Sequence, residues 1–233
     1  MLVKYFDQTA MGAMDDAAFR AARPYPWVNP SGLLHGQAFE ELRAKMPPVE
    51  LFNSSFGKRR KHGQQSHDRY ALTYHPDLPI DPAWHEFLAE LGSPAYRDFL
   101  ARMIGNSRFD LEFRWHYTPN GCSVSPHCDA YWKLGSHIFY FNTEDDWDPS
   151  WGGETVILDD HGRFGFRSAP SFDDFDEAQG SESLGNRSLL FIRNGHSWHG
   201  VREINCPEGA LRKIFLVVIK QLSWPQQLRR LVA

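Results

Sequence analysis

Apolar and polar positions change rhythm near residue 108. Upstream, apolar residues recur at helical spacing in several short pieces. Residues 35–45 read as an amphipathic helix with Phe39 and Leu42 on one face, and Pro47-Pro48 ends it. Residues 15–20 open another helix, which Pro24, Pro26 and Pro30 cut short. The apolar rings of Tyr25 and Trp27 in that proline-rich piece are expected to pack onto the body of the domain. Two further helices are predicted over 82–91 and 94–104, each starting at a proline whose fixed φ suits a first helical turn. Residues 69–74 alternate well enough for a strand.

Downstream the period shortens to two. Residues 108–118 place Leu111, Phe113, Trp115 and Tyr117 on one face of a strand. Short β-rich runs follow at 124–129, 136–141, 153–158, 188–192, 199–203 and 213–220. Pro119-Asn120-Gly121, Trp151-Gly152-Gly153 and Asp159-Asp160-His161-Gly162 supply turns between them. Such even spacing argues for an antiparallel sandwich or jelly roll, mainly β with flanking helices. The expected layout is an N-terminal extension with buttressing helices and one or two strands (1–107), a β core (108–222) and a tail (223–233), in a single structural domain. Residues 168–185 form an acidic, Ser-rich insertion carrying Phe172 and Phe175; an insertion that long is expected to be a functional or a disordered loop.

Composition narrows the class. The 233 residues suffice for a full core, and 17 Phe, 8 Trp and 8 Tyr suit an aromatic-lined cleft. A net charge of −4 gives no electrostatic footprint for nucleic acid or an anionic membrane. The longest apolar run, at 214–219, is far short of a span. Three irregularly spaced cysteines (Cys122, Cys128, Cys206) and the lack of an export-like N-terminus read as a cytoplasmic protein with reduced thiols. The one dense basic cluster, Lys58-Arg59-Arg60-Lys61-His62, reads as a polar surface loop or a loop touching substrate.

The candidate chemistry lies in Pro126-His127-Cys128-Asp129-Ala130 and Ser197-Trp198-His199-Gly200-Val201. His127 and Asp129, two apart on a strand, point to one face, and Cys128 between them points away. A histidine from a distant strand completes two imidazoles and a carboxylate, the donor set that holds non-haem Fe(II) and leaves positions open. His199 is the candidate, with His196 the alternative. His116 and His137 read as core or rim histidines, His137 with the option of reaching the cavity mouth. Trp132, just after the metal strand, is a candidate floor for a substrate cleft. Arg212 opens the last apolar strand, where a buried guanidinium needs a carboxylate that a ligand could supply.

In this order the parts resemble the 2-oxoglutarate- and Fe(II)-dependent oxygenases, prolyl-hydroxylase-like branch, over roughly residues 108–220. Tyr117 stands ten residues before His127; Tyr140-Phe141-Asn142 follows on the next strand; then come Asp146-Trp147-Asp148 and Gly152-Gly153-Glu154; His199-Gly200-Val201 and Arg212 close the series. The resemblance implies a double-stranded β-helix (jelly roll, cupin-like) core with His127, Asp129 and His199 as iron ligands. It implies Arg212 and Tyr140 at the distal carboxylate of 2-oxoglutarate, and Tyr117 lining the same pocket. The interval from His199 to Arg212 is a few residues longer than the family pattern, which brings Lys213 into contention; fork geometry favours Arg212. The implied cofactors are Fe(II), 2-oxoglutarate and O2, with ascorbate as reductant. The implied reaction is hydroxylation of an unactivated C–H in a prolyl, amino-acid or peptide-type substrate, or in a small natural-product intermediate. A non-catalytic, cupin-like binder of a metal or small molecule is the alternative.

Overall fold

The computed structural model describes residues 4–58, 60 and 63–222. The expected tail, 223–233, lies outside them. Among the described residues, no helix is long and apolar enough to cross a membrane.

The helices form where the sequence caps them. α1 (Gln8–Ala13) and α2 (Asp16–Ala21) start at Asp7 and Asp15, whose carboxylates accept from main-chain N–H groups of the first turn. α3 (Gly36–Ala44) follows a two-residue strand, β1 (Trp27–Val28). After β2 (Asn53–Ser55) and β3 (Arg69–Thr73) come α4 (Pro82–Leu91) and α5 (Pro94–Ile104). Asp81 caps α4 through the Ala83 N–H at 2.9 Å, and α5 stops at Gly105 in the left-handed region. The rest is strand: β4 (Phe109–Pro119), β5 (Val124–His127), β6 (Lys133–Tyr140), β7 (Val156–Asp159), β8 (Glu177–Gly180), β9 (Ser188–Ile192), β10 (Trp198–Val201) and β11 (Leu211–Gln221).

These strands make two sheets, ordered β1-β9-β6-β11-β4-β3-β2 and β5-β10-β7-β8, with antiparallel neighbours throughout. This is the predicted jelly-roll sandwich. Period two then divides the large sheet into two faces. Leu111, Phe113, Trp115, Tyr117, Phe139, Phe215 and Val217 meet the helices. There Trp84 of α4 lies 5.2 Å from both Trp115 and Phe215, ring centre to ring centre. Truncating one such buried aromatic to Ala typically costs about 3–5 kcal/mol. The opposite face carries Ile138, Tyr140, Leu189, Phe191, Ile214 and Leu216, and turns toward the small sheet. One face is fixed by the helices, so the other is free to line a cavity.

Residues before 108 do more than buttress. They supply three strands of the large sheet, and β1 and β2 are its two edges. The buried Glu90 carboxylate of α4 accepts the N–H groups of Lys4, Tyr5 and Phe6 at 2.8–3.2 Å, fixing the start of the described chain to the helical layer. The 168–185 insertion also departs from the expected loop. Its β8 edges the small sheet, and Phe172 and Phe175 pack with Phe164 against Trp198. Glu177-Ala178-Gln179-Gly180 is exposed at every position and has no apolar alternation for a sequence reading to detect.

Candidate metal centre and its cavity

The small sheet sets up the centre. β10 pairs with β5 so that His199 stands directly opposite His127. Each imidazole is held by its own strand: His127 Nδ1 lies 2.9 Å from the Ser125 carbonyl, and His199 Nδ1 lies 2.9 Å from the Ser197 carbonyl. A carbonyl only accepts, so both Nδ1 atoms carry the proton and both Nε2 lone pairs are free. Burial, then neighbouring histidines, keeps His127 well below the usual imidazole range, and burial lowers His199 as well. Both rings are therefore neutral, as a metal ligand must be.

Asp129 lies just beyond the end of β5 and is buried. Burial by itself would raise its carboxyl, but the neighbouring Lys133 ammonium outweighs it and holds the group well below the usual carboxylate range. Lys133 Nζ donates to Oδ1 at 2.6 Å and Ser136 Oγ to Oδ2 at 3.2 Å. Arg193 Nε donates to the Asp129 carbonyl at 3.1 Å, anchoring the main chain. Donor atoms of His127, Asp129 and His199 all fall within 4.8 Å of one another. Cys128 points away, as alternation requires, into the cluster with Val156, Leu158 and Trp198, where burial pushes its thiol up to about 12.

These three residues open into a cavity of about 290 Å³ between the sheets. Arg212 enters it from β11 and is buried. Its Nε donates to the Gly153 carbonyl, its Nη2 reaches Thr155 Oγ1 at 3.3 Å, and its guanidinium lies 5.7 Å from the centre of the Tyr140 ring. Gly153 has φ +99°, and a Cβ there would come within 3.1 Å of Arg212 Cδ, so glycine is what lets this side chain lie along the turn. Among the described residues no carboxylate lies within 4.0 Å of Arg212. The Tyr140 hydroxyl bonds to Thr155 Oγ1 at 2.9 Å and Ser181 Oγ at 2.8 Å, reaching Arg212 by way of Thr155.

Tyr117 is not in the cavity, contrary to expectation. It pairs with Lys213 on the helix-facing side, stacks on Phe52 at 4.2 Å and donates to the Pro47 carbonyl at 2.7 Å. Its β4 neighbours His116 and Thr118 line the cavity instead, because one step along a strand changes the face. By the same rule Lys213 leaves the cavity and lies 3.7 Å from Asp146. His196 sits half-exposed with its Nδ1 2.9 Å from Asp160 Oδ2, away from the three donors. His137 is fully buried on the helix side, bonded to the Tyr96 hydroxyl at 2.9 Å. Trp132 lines the cavity at its exposed rim.

Sequence reasoning did not single out several of the cavity residues. His67 bridges to Val124 of β5, and its ring centre lies 4.4 Å from that of His127. Burial, then Arg60 and Arg69, drives His67 down to about 2, so it is neutral too. Arg69 and Arg114 line the cavity too, and so does Arg60, from the basic cluster read as a surface loop or a loop touching substrate. For His67, Arg69 and Arg114 the one available signal was the alternation of Arg114 with Phe113 and Trp115.

Two antiparallel sheets enclosing a His/Asp/His cluster at one end define a jelly-roll fold with a candidate mononuclear metal centre. It is the fold of the 2-oxoglutarate/Fe(II) oxygenases of the prolyl-hydroxylase type. A Pseudomonas putida prolyl-4-hydroxylase superimposes with a TM-score of 0.60 at 15% identity, covering 89% of this chain and 98% of that one. A Trichoplax adhaerens prolyl hydroxylase, in complex with a peptide fragment of the hypoxia inducible factor oxygen degradation domain, gives 0.64 at 11% identity, covering 97% and 93%. The α-ketoglutarate-dependent epimerase SnoN of nogalamycin biosynthesis gives 0.57 at 13%, covering 92% and 84%. No family model and no curated protein matches the sequence.

Proposed function

We propose that the protein is a 2-oxoglutarate- and Fe(II)-dependent oxygenase that hydroxylates an unactivated C–H bond. One juxtaposition carries this reading. One cavity holds two neutral imidazoles, a carboxylate and a guanidinium with no carboxylate of its own among the described residues. Two nitrogens and one oxygen suit ferrous iron and leave coordination positions for other ligands. Bound there, iron and 2-oxoglutarate would supply the oxidising power of dioxygen, with succinate and carbon dioxide as co-products and ascorbate as the reductant that maintains ferrous iron.

The chain's own residues do the positioning. His127 and His199 present Nε2 because their Nδ1 protons are held by Ser125 and Ser197 carbonyls. Lys133 and Ser136 keep Asp129 ionised and oriented. Arg212 would take the distal carboxylate of 2-oxoglutarate, with Thr155 Oγ1 at its guanidinium and the Tyr140 hydroxyl holding Thr155 in turn. Ile138, Phe191, Ile214 and Leu216 form the apolar wall that excludes water.

The prolyl hydroxylases among its structural neighbours make a prolyl or amino-acid substrate the first to test, with a small natural-product intermediate second. The assay is succinate release that requires both Fe(II) and 2-oxoglutarate and disappears in His127→Ala. Tight metal binding with no 2-oxoglutarate binding and no succinate would instead identify a cupin-like binder.

A further inference from the structure

The cavity holds more positive charge than one co-substrate can neutralise. Arg60, Arg69, Arg114, Lys133 and Arg212 all line it, against a single lining carboxylate, Asp129, which Lys133 already pairs. Arg114 shares Glu112 with Lys220, so that pair of cations has one acid between them. Among the described residues no carboxylate lies within 4.0 Å of Arg60, Arg69 or Arg212. Arg69 gives one Nη to the His67 carbonyl at 2.9 Å, while its Nε is buried with no hydrogen-bond partner. His116 lies between: it pairs with Ala71 across β3 and β4, and its Nε2 is also buried without a partner. Arg69 and Thr73 flank Ala71 on the same face, and Thr73 pairs with Arg114, so the two arginines bracket the His116–Ala71 pair.

An unsatisfied buried polar atom costs about 1–3 kcal/mol, more when charged. An unpartnered nitrogen on Arg69 and another on His116, with the Arg114 guanidinium beyond, describe a place for an oxyanion. We propose that Arg69 and Arg114, with His116 between them and Arg60 beside His67 in the same cavity, bind a carboxylate or phosphate of the substrate. The substrate is therefore a small acid whose anionic group enters the cavity, and not an internal residue of a peptide, whose amide flanks carry no charge. The inference rests on the metal centre and Arg212 being used as proposed above, and narrows that reading to a substrate class.

The test is calorimetric titration of the Mn(II)-loaded protein saturated with 2-oxoglutarate, so that Arg212 is occupied and no turnover occurs. The probes are N-acetyl-L-proline, its primary amide, and inorganic phosphate. The free acid is expected to bind about ten- to a hundredfold tighter than the amide, the range of a charge-assisted hydrogen-bond pair. Arg69→Met and Arg114→Met should each remove most of that preference, and Arg69→Lys should restore part of it. Binding of phosphate alone, lost in the same variants, supports the site and identifies its ligand group as phosphate. Equal affinity for acid and amide with no arginine-dependent phosphate binding overturns the proposal. The two readings fail separately. Repeating the phosphate titration without metal or 2-oxoglutarate in Arg212→Met still reads the Arg69–Arg114 site, whereas absent 2-oxoglutarate binding in the native protein sinks only the oxygenase assignment.

Discussion

His127 and His199 stand opposite one another on neighbouring strands, and each donates its Nδ1–H to the carbonyl two residues before it. The symmetry is a backbone property: both histidines end a Ser-x-His step, and the strand geometry brings the serine carbonyl under the ring. Replacing either by Ala removes a donor that no other described residue supplies. We expect His127→Ala and His199→Ala each to weaken Mn(II) affinity by about a hundredfold or more, read by chelator competition, while the fold, read by thermal melting, persists.

Arg212 and Lys213 are adjacent and on opposite faces, so their variants should separate cleanly. Arg212→Met is expected to weaken 2-oxoglutarate by roughly ten- to a hundredfold at unchanged metal affinity. Lys213→Met, which removes only a contact near Asp146 on the other side, should stay within about twofold. Equal losses in both would mean that the carboxylate is held elsewhere.

Gly200 follows His199 and has no room for a side chain. A Cβ there would approach the Val124 carbonyl at 2.7 Å and Phe172 Cζ at 2.8 Å. Gly200→Ala must therefore push β10 away from β5 or displace the aromatic plug of the insertion. The expected cost is about 1–3 kcal/mol of folding stability, with metal affinity falling alongside it because the displaced strand carries His199. A urea midpoint unchanged from the native protein would show that the approach is looser than described.

His137 gives the pH prediction. Burial drives it to about 3 from an ordinary 6.5, and its Nε2 is buried without a partner. The folded state therefore accepts only the neutral ring, while the unfolded chain protonates below 6.5. Stability is intact above 6.5 and falls as pH drops from 6.5 toward 3, by on the order of 5 kcal/mol for this residue. His137→Phe should be slightly weaker at pH 7.5, having left the Tyr96 hydroxyl unpartnered, and should lose less of its urea midpoint between pH 7 and 4.

How much of this was legible depended on which force placed each residue. The helices over 82–91 and 94–104 were readable to the residue because proline and capping signals are local. The β4 face of Leu111, Phe113, Trp115 and Tyr117 followed from alternation alone. That alternation also places Tyr117 under the helices, and position in a family pattern was the weaker guide there. Arg69 and His67 could not be read at all: they reach the cavity because β3 pairs with β4 and because the chain before it crosses to β5, and both are long-range pairings. The edge strand β8 left no signal, since every side chain in it faces water.

Tyr25, well upstream of the β core, donates its hydroxyl to the carbonyl of Trp198, the residue before His199, at 2.9 Å. Beside it β1 hydrogen-bonds to β9 along the margin of the large sheet. A gene fragment beginning at residue 108 would thus encode all three candidate ligands, yet leave the strand bearing His199 unbraced and the Arg69 wall missing. The candidate metal pocket is a property of both halves of the polypeptide, and trimming to the portion that carries the recognisable motif would discard part of what shapes it.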